Sequence, residues 1–454
     1  MRVVIVGAGE VGFNVAENLS AQGHDVIVVE NDEARAMKVE SDLDVMLVRG
    51  NGARPPVLEE AGIAPGCDVD ILVACTDRDE VNILACWIAK RAGVKRVISR
   101  ARGLEYTDSP TWARELGIDV MISPERSVAR EIEELLSVSS AVHTAEFFDG
   151  RAGLYAFRVS EGSPMTGDTL RRINQRYPRL TALIAFVERS GTGLVPFGET
   201  QLKAGDLCFI VTLRGQVHQL EELFRRERTG QLRRVIIVGG GKIGFQVARR
   251  LELRYRDLDI RLIDQDSEKC DKLARELERT IVLFGDGADE ELLLYEGVEG
   301  ADGFVTTTAS DERNLLMGVI GRVHGARKSI AVVRRKPLMK LGDYVPVDAL
   351  VNPNQALASL IMRHVRYPSS SGALSIIEKI DAEMLEVTLR EESRIIGKRI
   401  KDLGLPKGIL LALARRGEDV FVPMGDTVLQ SGDQIVLFAS SEQMPKALEI
   451  LGVK

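Results

Sequence analysis

Two rhythms of apolar residues alternate along this 454-residue chain. Short unbroken apolar runs, such as Val3-Val4-Ile5-Val6 and Ile71-Leu72-Val73-Ala74, are separated by stretches where apolar residues return every three or four positions. The first rhythm reads as strands buried on both faces and the second as amphipathic helices. In the opening segment the pattern predicts further strands at Asp25–Glu30, Val45–Val48, Val97–Arg100 and Val120–Ser123. It predicts helices over Phe13–Gln22 and Glu80–Ala92. Asn31 and Asp32 stand where a helix cap is wanted, and Gly50-Asn51-Gly52 marks a turn. Six strands spaced by helices predict a parallel sheet covered on both faces.

The pattern then restarts at Arg234. Val235-Ile236-Ile237-Val238 and Ile260-Arg261-Leu262-Ile263 are strands, Gly285-Asp286-Gly287 is a turn, and Phe304-Val305-Thr306-Thr307-Thr308 precedes another helix. Ile330-Ala331-Val332-Val333-Arg334 is read as the copy of the strand ending at Arg100. Asp79-Glu80-Val81-Asn82 returns as Asp311-Glu312-Arg313-Asn314, 232 residues later. Two tails repeat at an offset of 227, with Val195-Pro196, Gly198-Glu199-Thr200 and Gly205-Asp206 recurring as Val422-Pro423, Gly425-Asp426-Thr427 and Gly432-Asp433. Short alternating strands with Gly and Pro turns make these tails small β-rich modules. The expected fold is α/β: tandem duplicated Rossmann-like parallel sheets, each followed by a small α+β module. The expected domains are 1–138, 139–225, 233–369 and 370–454, with a solvated linker at 226–232 entered through Arg225-Arg226-Glu227-Arg228.

Both sheets open with the same chemistry. Gly7-Ala8-Gly9-Glu10-Val11-Gly12 and Gly239-Gly240-Gly241-Lys242-Ile243-Gly244 each place G-x-G-x-x-G between a strand and a helix. The first glycine allows a tight turn, the second a close approach to pyrophosphate, and the third the packing of helix on strand. Glu30 and Asp264 end the next strand, about 20 residues on, where a carboxylate accepts from a ribose hydroxyl. Such acids repel a 2′-phosphate, which disfavours NADP, but leave NAD(H), ATP and ADP as alternatives. Glu10 and Lys242 differ at one turn position; Lys242 is either a phosphate ligand or a surface lysine. Thr76 and Asp77 follow the fourth strand, at the sheet end where open α/β folds bind ligands. Arg100 and Arg334 reach either phosphates or a neighbouring subunit. Ser123-Pro124-Glu125 and Asn352-Pro353-Asn354 read as helix starts.

Charge and composition narrow the classes. A formal charge of −7 disfavours nucleic acid and anionic membrane surfaces as main partners. No apolar run approaches the roughly 18 residues of a membrane span. Met1-Arg2 leads straight into a strand, so no signal peptide is expected. Five cysteines without C-x-x-C spacing fit a reduced compartment. No His, Cys or carboxylate spacing predicts a metal site, and no nucleophile stands in a recognisable motif.

These motifs resemble the RCK (KTN) domain family, regulators of potassium conductance, over essentially the whole chain in the order RCK-N, RCK-C, RCK-N, RCK-C. The carriers are the two glycine turns with Glu30 and Asp264, Phe284-Gly285-Asp286, Thr76, Asp79-Glu80, Arg100 and the paired Gly-Asp tails. The resemblance implies NAD(H) and ATP/ADP as ligands. It assigns them to Gly7, Ala8, Gly9, Glu10, Val11, Glu30, Asn51, Thr76, Asp77 and Arg100 in the first half. In the second half it assigns Gly239, Gly240, Gly241, Lys242, Ile243, Asp264, Asp286, Thr308 and Arg334. It implies a homo-oligomeric ring, a tetramer, on the cytoplasmic face of an integral-membrane Trk-type potassium channel subunit. Glu10 departs from the family's neutral amide and disfavours highly charged nucleotides in the first half, and the family's ion-binding glutamate survives only as Glu125. Two other readings stand beside it: an NAD-dependent oxidoreductase, which needs an acid or base near the nicotinamide that no motif supplies, and a sensor serving a different ion transporter.

Overall fold

The structure, a computed structural model, describes residues 1–107, 110–138, 140–224, 232–366, 374–377, 382–406, 408–440 and 442–452. The linker expected at 226–232 and the boundary at 369/370 fall largely or wholly outside the described residues.

The first sheet contains β1 (Arg2–Val6), β2 (Asp25–Glu30), β3 (Met46–Arg49), β4 (Ile71–Ala74), β5 (Arg96–Arg100) and β6 (Val120–Ile122), all parallel, in the order β3-β2-β1-β4-β5-β6. Its helices are α1 (Glu10–Ala21), α2 (Glu33–Asp42), α3 (Pro55–Glu60), α4 (Asp79–Ala92), α5 (Leu104–Thr107), α6 (Pro110–Glu115) and α7 (Pro124–Ser137). The first β-module carries β7 (Ala141–Phe147), β8 (Ala152–Arg158), α8 (Leu170–Arg176), β9 (Ala182–Arg189), β10 (Thr192–Leu194), β11 (Leu207–Leu213) and α9 (Val217–Phe224).

The second parallel sheet repeats the first: β12 (Arg234–Val238), β13 (Asp259–Asp264), β14 (Ile281–Phe284), β15 (Gly303–Thr306), β16 (Ser329–Val332) and β17 (Ala349–Val351), in the order β14-β13-β12-β15-β16-β17. Its helices are α10 (Lys242–Arg254), α11 (Ser267–Glu276), α12 (Glu290–Tyr295), α13 (Asp311–Val323), α14 (Lys336–Met339) and α15 (Pro353–Arg366). The last module holds β18 (Leu374–Ile377), β19 (Ala382–Thr388), β20 (Leu410–Arg416), β21 (Asp419–Phe421), β22 (Gln434–Ser440) and α16 (Met444–Leu451). The expected tandem α/β architecture is therefore present, and in both parallel sheets the strand order reverses beside the strand that carries the glycine turn.

Contacts divide the chain into two units, Met1–Val128 with Asn352–Arg366, and Ala129–Val351 with Tyr367–Lys454. In the first unit the core is Val4, Val6, Ile27, Val29, Leu72 and Val97 with the helix residues Leu58, Ala85 and Ala89. Helix α15, which follows the second sheet in sequence, packs here against α1. Arg96 at the start of β5 donates to His364 near the end of α15 at 3.2 Å. In the second unit, Lys328 occupies the position equivalent to Arg96 and is fully buried. Its ammonium donates to the carbonyls of Leu135, Val138 (2.9 Å) and Ala141 (2.8 Å), gripping the C-terminal end of α7. Arg250 and Arg254 pair with the buried Glu133 of the same helix.

Also within the second unit, the two β-modules share a core of Phe147, Phe148, Leu154, Phe186, Phe209, Met384, Leu413 and Phe438. Each module pins its hairpin with one bidentate pair. Arg189 holds Asp206 with two bonds of 2.7 Å, and Arg416 holds Asp433 at 2.8 and 2.7 Å, 227 residues later.

Candidate functional site

The first glycine turn folds as its residues demand. Gly7 has φ +99°, and a Cβ there would meet Thr76 Cγ2 at 2.9 Å. A Cβ on Gly12 would lie 1.8 Å from the Gly7 carbonyl oxygen, so helix and strand touch only because that position is glycine. Gly9 caps α1 without any side-chain hydrogen bond, which leaves the first-turn amides without a side-chain cap. Open amides at a helix start, with the backbone dipole behind them, attract an anion such as phosphate.

Glu30 is buried at the end of β2 and faces this turn. Its Oε2 accepts the Ala8 amide at 2.5 Å, and its Oε1 accepts the amides of Asn31 and Asp32 at 2.7 and 2.8 Å. The acid thus couples the strand end to the glycine turn. Asn51 makes an Asx turn, accepting the Ala53 amide at 2.9 Å. Thr76 is held by Asn82, whose Oδ1 accepts both the Thr76 amide (2.9 Å) and hydroxyl (2.7 Å). The Asn82 amide group donates back to the carbonyls of Thr76 and Arg100, each at 3.1 Å. This fully buried side chain fixes the ends of β4 and β5 beside the crevice. Asp77 is exposed. Arg100 is half-buried, its Nε has no hydrogen-bond partner among the described residues, and burial with the neighbouring Arg102 lowers its pKa. Glu10 accepts from Asn354 of α15.

The second site repeats this frame with different charges. Gly239 has φ +105°, and a Cβ on Gly244 would lie 1.9 Å from the Gly239 oxygen. Asp264 Oδ2 accepts the Gly240 amide at 2.6 Å, and its Oδ1 the Asp266 amide at 3.0 Å. Unlike Glu30, it also pairs with a lysine, Lys269, at 3.1 Å. Asn314 repeats the role of Asn82, accepting the Thr308 amide (2.8 Å) and hydroxyl (2.6 Å) and donating to the Thr308 and Val332 carbonyls. Lys242 and Asp286 are exposed, and Ile243 is buried under the turn.

One expectation is corrected. Arg334 is not the counterpart of Arg100. Asn82 donates to the Arg100 carbonyl and Asn314 to that of Val332, so the buried Val332 occupies the Arg100 position. Arg334 matches Arg102 instead: the Arg102 amide donates to Asp79, as the Arg334 amide does to Asp311. Its guanidinium pairs with Asp311 at 3.1 Å. Sequence reasoning quoted Asn82 and Asn314 only as parts of a repeated motif and missed their role; their recurrence with Thr76 and Thr308 was the signal.

The helix starts behave as expected: Ser123 accepts the Arg126 amide at 3.3 Å and Asn352 the Asn354 amide at 2.9 Å. Glu125 faces Arg102 at 3.5 Å. Among the described residues no group of three metal-ligating side chains converges. Among them, too, no helix is long and apolar enough to cross a membrane.

Comparison with known proteins decides the family. The TrkA-N domain matches residues 3–124 and 235–353, and the TrkA-C domain residues 154–225 and 384–452. The Trk system potassium uptake protein TrkA homolog of Archaeoglobus fulgidus is 35% identical over 451 residues, covering 99% of this chain and 100% of its own. The chain belongs to the TrkA family. The TrkA of Vibrio alginolyticus is 32% identical over 459 residues, covering 99% of this chain and 98% of its own. Among solved structures, the GsuK channel bound to NAD superposes with a TM-score of 0.62 at 19% identity, over 99% of this chain and 79% of that one. The GsuK RCK domain gives 0.62 at 18%, over 99% and 95%; at such identities these likenesses bear on the fold alone. TrkA is a potassium uptake protein, not an enzyme, so the oxidoreductase reading falls. Each TrkA-N domain is a Rossmann-like nucleotide-binding domain.

Proposed function

We propose that this chain is the nucleotide-sensing regulatory subunit of a Trk-type potassium uptake system. It binds NAD(H) and ATP/ADP at its two glycine turns. It assembles as a homotetrameric ring on the cytoplasmic face of an integral-membrane channel subunit and controls potassium uptake through it. Its working parts are the domains 1–138, 139–225, 233–369 and 370–454.

The observation that carries this reading is the duplicated crevice. Twice in one TrkA-family chain, an uncapped helix start, a tight glycine turn and a strand-end acid converge at the point where strand order reverses. The turn amides of Gly7 to Val11 and Gly239 to Ile243 are the phosphate donors. Glu30 and Asp264 hold the turns and offer remaining lone pairs to a ribose. Asn51, Thr76, Asp77 and Arg100 complete the first site; Thr308 and Arg334 complete the second, with Asp286 at its mouth. The GsuK channel, which shares this fold, is bound to NAD in one structure and to ADP in another, the two ligand classes proposed here. Nucleotide leverage on a channel must come from unequal affinity for two ring shapes, because a ligand that binds both equally shifts nothing.

The test is calorimetric titration of the full chain with NAD, NADH, ADP and ATP. Two binding events per chain are expected, with no hydride transfer to 2-hydroxy acids or aldehydes. Absence of binding by all four would remove the proposal.

A further inference from the structure

We infer that Arg313 is a phosphate-capturing strap across the second nucleotide site, parked on Asp286 until an anionic ligand takes it. The inference rests on the nucleotide reading of that site. Arg313 lies in the first turn of α13, just after β15. Its guanidinium reaches to the loops after the two strands on the other side of the crevice. Nη2 donates to Asp286 Oδ1 at 2.7 Å, and Nη1 donates to Gln265 Oε1 at 3.4 Å. In the sheet, β12 with its glycine turn lies between β13 and β15. The side chain therefore spans the mouth where the strand order reverses.

The duplication supplies an internal control. The three positions that make this strap are Val81, Asn51 and Asn31 in the first half. None of these three is a cation, and the turn position filled by Lys242 carries Glu10 instead. Among the described residues the Lys242 side chain makes no hydrogen bond or ion pair, so the second mouth carries two cations, Lys242 and Arg313, at positions where the first carries Glu10 and Val81.

The parking contact is easily exchanged. The Arg313 and Asp286 side chains are 43% and 53% exposed, and exposed pairs of this kind hold weakly. A terminal phosphate offers more charge and a two-pronged match to the guanidinium. The ligand class selected is thus a nucleoside di- or triphosphate over a monophosphate.

The experiment is hydrogen exchange on the full chain titrated with AMP, ADP and ATP. Protection of 239–245 reads the second site and protection of 7–13 the first. Arg313→Ala is expected to cut the ATP-over-AMP preference at the second site about tenfold while leaving the first site unchanged. Asp286→Asn is expected to raise ATP affinity several-fold, because it releases the parked arginine. An unchanged preference in Arg313→Ala, with ATP still protecting 239–245, overturns the inference. So does a loss of ATP affinity in Asp286→Asn, which would make Asp286 a ligand instead of a parking place. If no nucleotide protects either segment, the underlying nucleotide reading fails and takes the strap with it, a result distinct from the other two.

Discussion

Glu30 accepts the backbone amide of Ala8 at 2.5 Å, so the acid marked in sequence as a ribose acceptor also holds the phosphate turn in shape. Asp264 does the same for Gly240 at 2.6 Å. Both turns are therefore held in shape by the chain itself, which on the proposed reading lowers the ordering cost of association.

It follows that Glu30→Ala and Asp264→Ala should each lose one site. The loss of a charge-assisted hydrogen bond is about 1.5–3 kcal/mol, or roughly tenfold or more in affinity. Faster amide exchange in the affected turn should accompany it without nucleotide. Wild-type affinity in both variants would show that the acids are misassigned.

A second prediction concerns stability. Asn82→Ala leaves the Thr76 amide and carbonyl without this partner in a part-buried setting and removes one of two donors to the Arg100 carbonyl, which also accepts from Ser99. A cost of about 2 kcal/mol or more is expected, since each unpaired buried group costs about 1–3 kcal/mol. Asn314→Ala should behave alike. Denaturant unfolding measures both, and a change below about 1 kcal/mol would contradict the clasp.

Acid should weaken the β-modules. Burial pushes the Asp206 and Asp433 carboxyls up, but the hydrogen bonds and charges of Arg189 and Arg416, together with the backbone amides of Lys203 and Gln430, outweigh it and leave both below the usual range. A depressed folded pKa contributes stability that is complete above the unfolded value of about 3.9 and is lost as pH falls through the folded value. Unfolding followed between about pH 5 and 2 should show this slope in wild type. The slope should be reduced in Asp206→Asn and in Asp433→Asn.

Leu84 on α4 and Leu316 on α13 occupy equivalent positions and are 42% and 59% exposed, and Trp87 and Val323 are also exposed on the same two helices. Apolar side chains left outward twice at the same place suit a surface used in self-assembly. Light scattering should give a tetramer for wild type and a smaller species for Leu84→Glu with Leu316→Glu. A wild-type monomer at micromolar concentration would refute the ring.

Much of this was legible in sequence because its cause is local. A glycine forced to positive φ, an acid at a strand end and a cap such as Asp32 act within a few residues, so Gly7, Glu30 and their copies could be read directly. The equivalence of Arg100 and Arg334 could not. It depends on which carbonyl Asn82 and Asn314 reach, and a two-residue slip at a strand end leaves the apolar pattern intact. The partners of the crossover helices were equally hidden. An apolar stripe shows that α15 must pack, but not that its neighbour is α1, more than 300 residues earlier in the chain. The parked Arg313 was invisible for the same reason, since its partners Gln265 and Asp286 come from two separate loops.

The most direct test of the regulatory account is potassium flux through a reconstituted Trk-type channel subunit with this chain added, followed across nucleotide titrations. The account predicts that flux changes over the same concentration range in which ATP/ADP or NAD(H) fills the two glycine turns, and that Glu30→Ala and Asp264→Ala shift that range. Flux that ignores every nucleotide while both sites are saturated would contradict it.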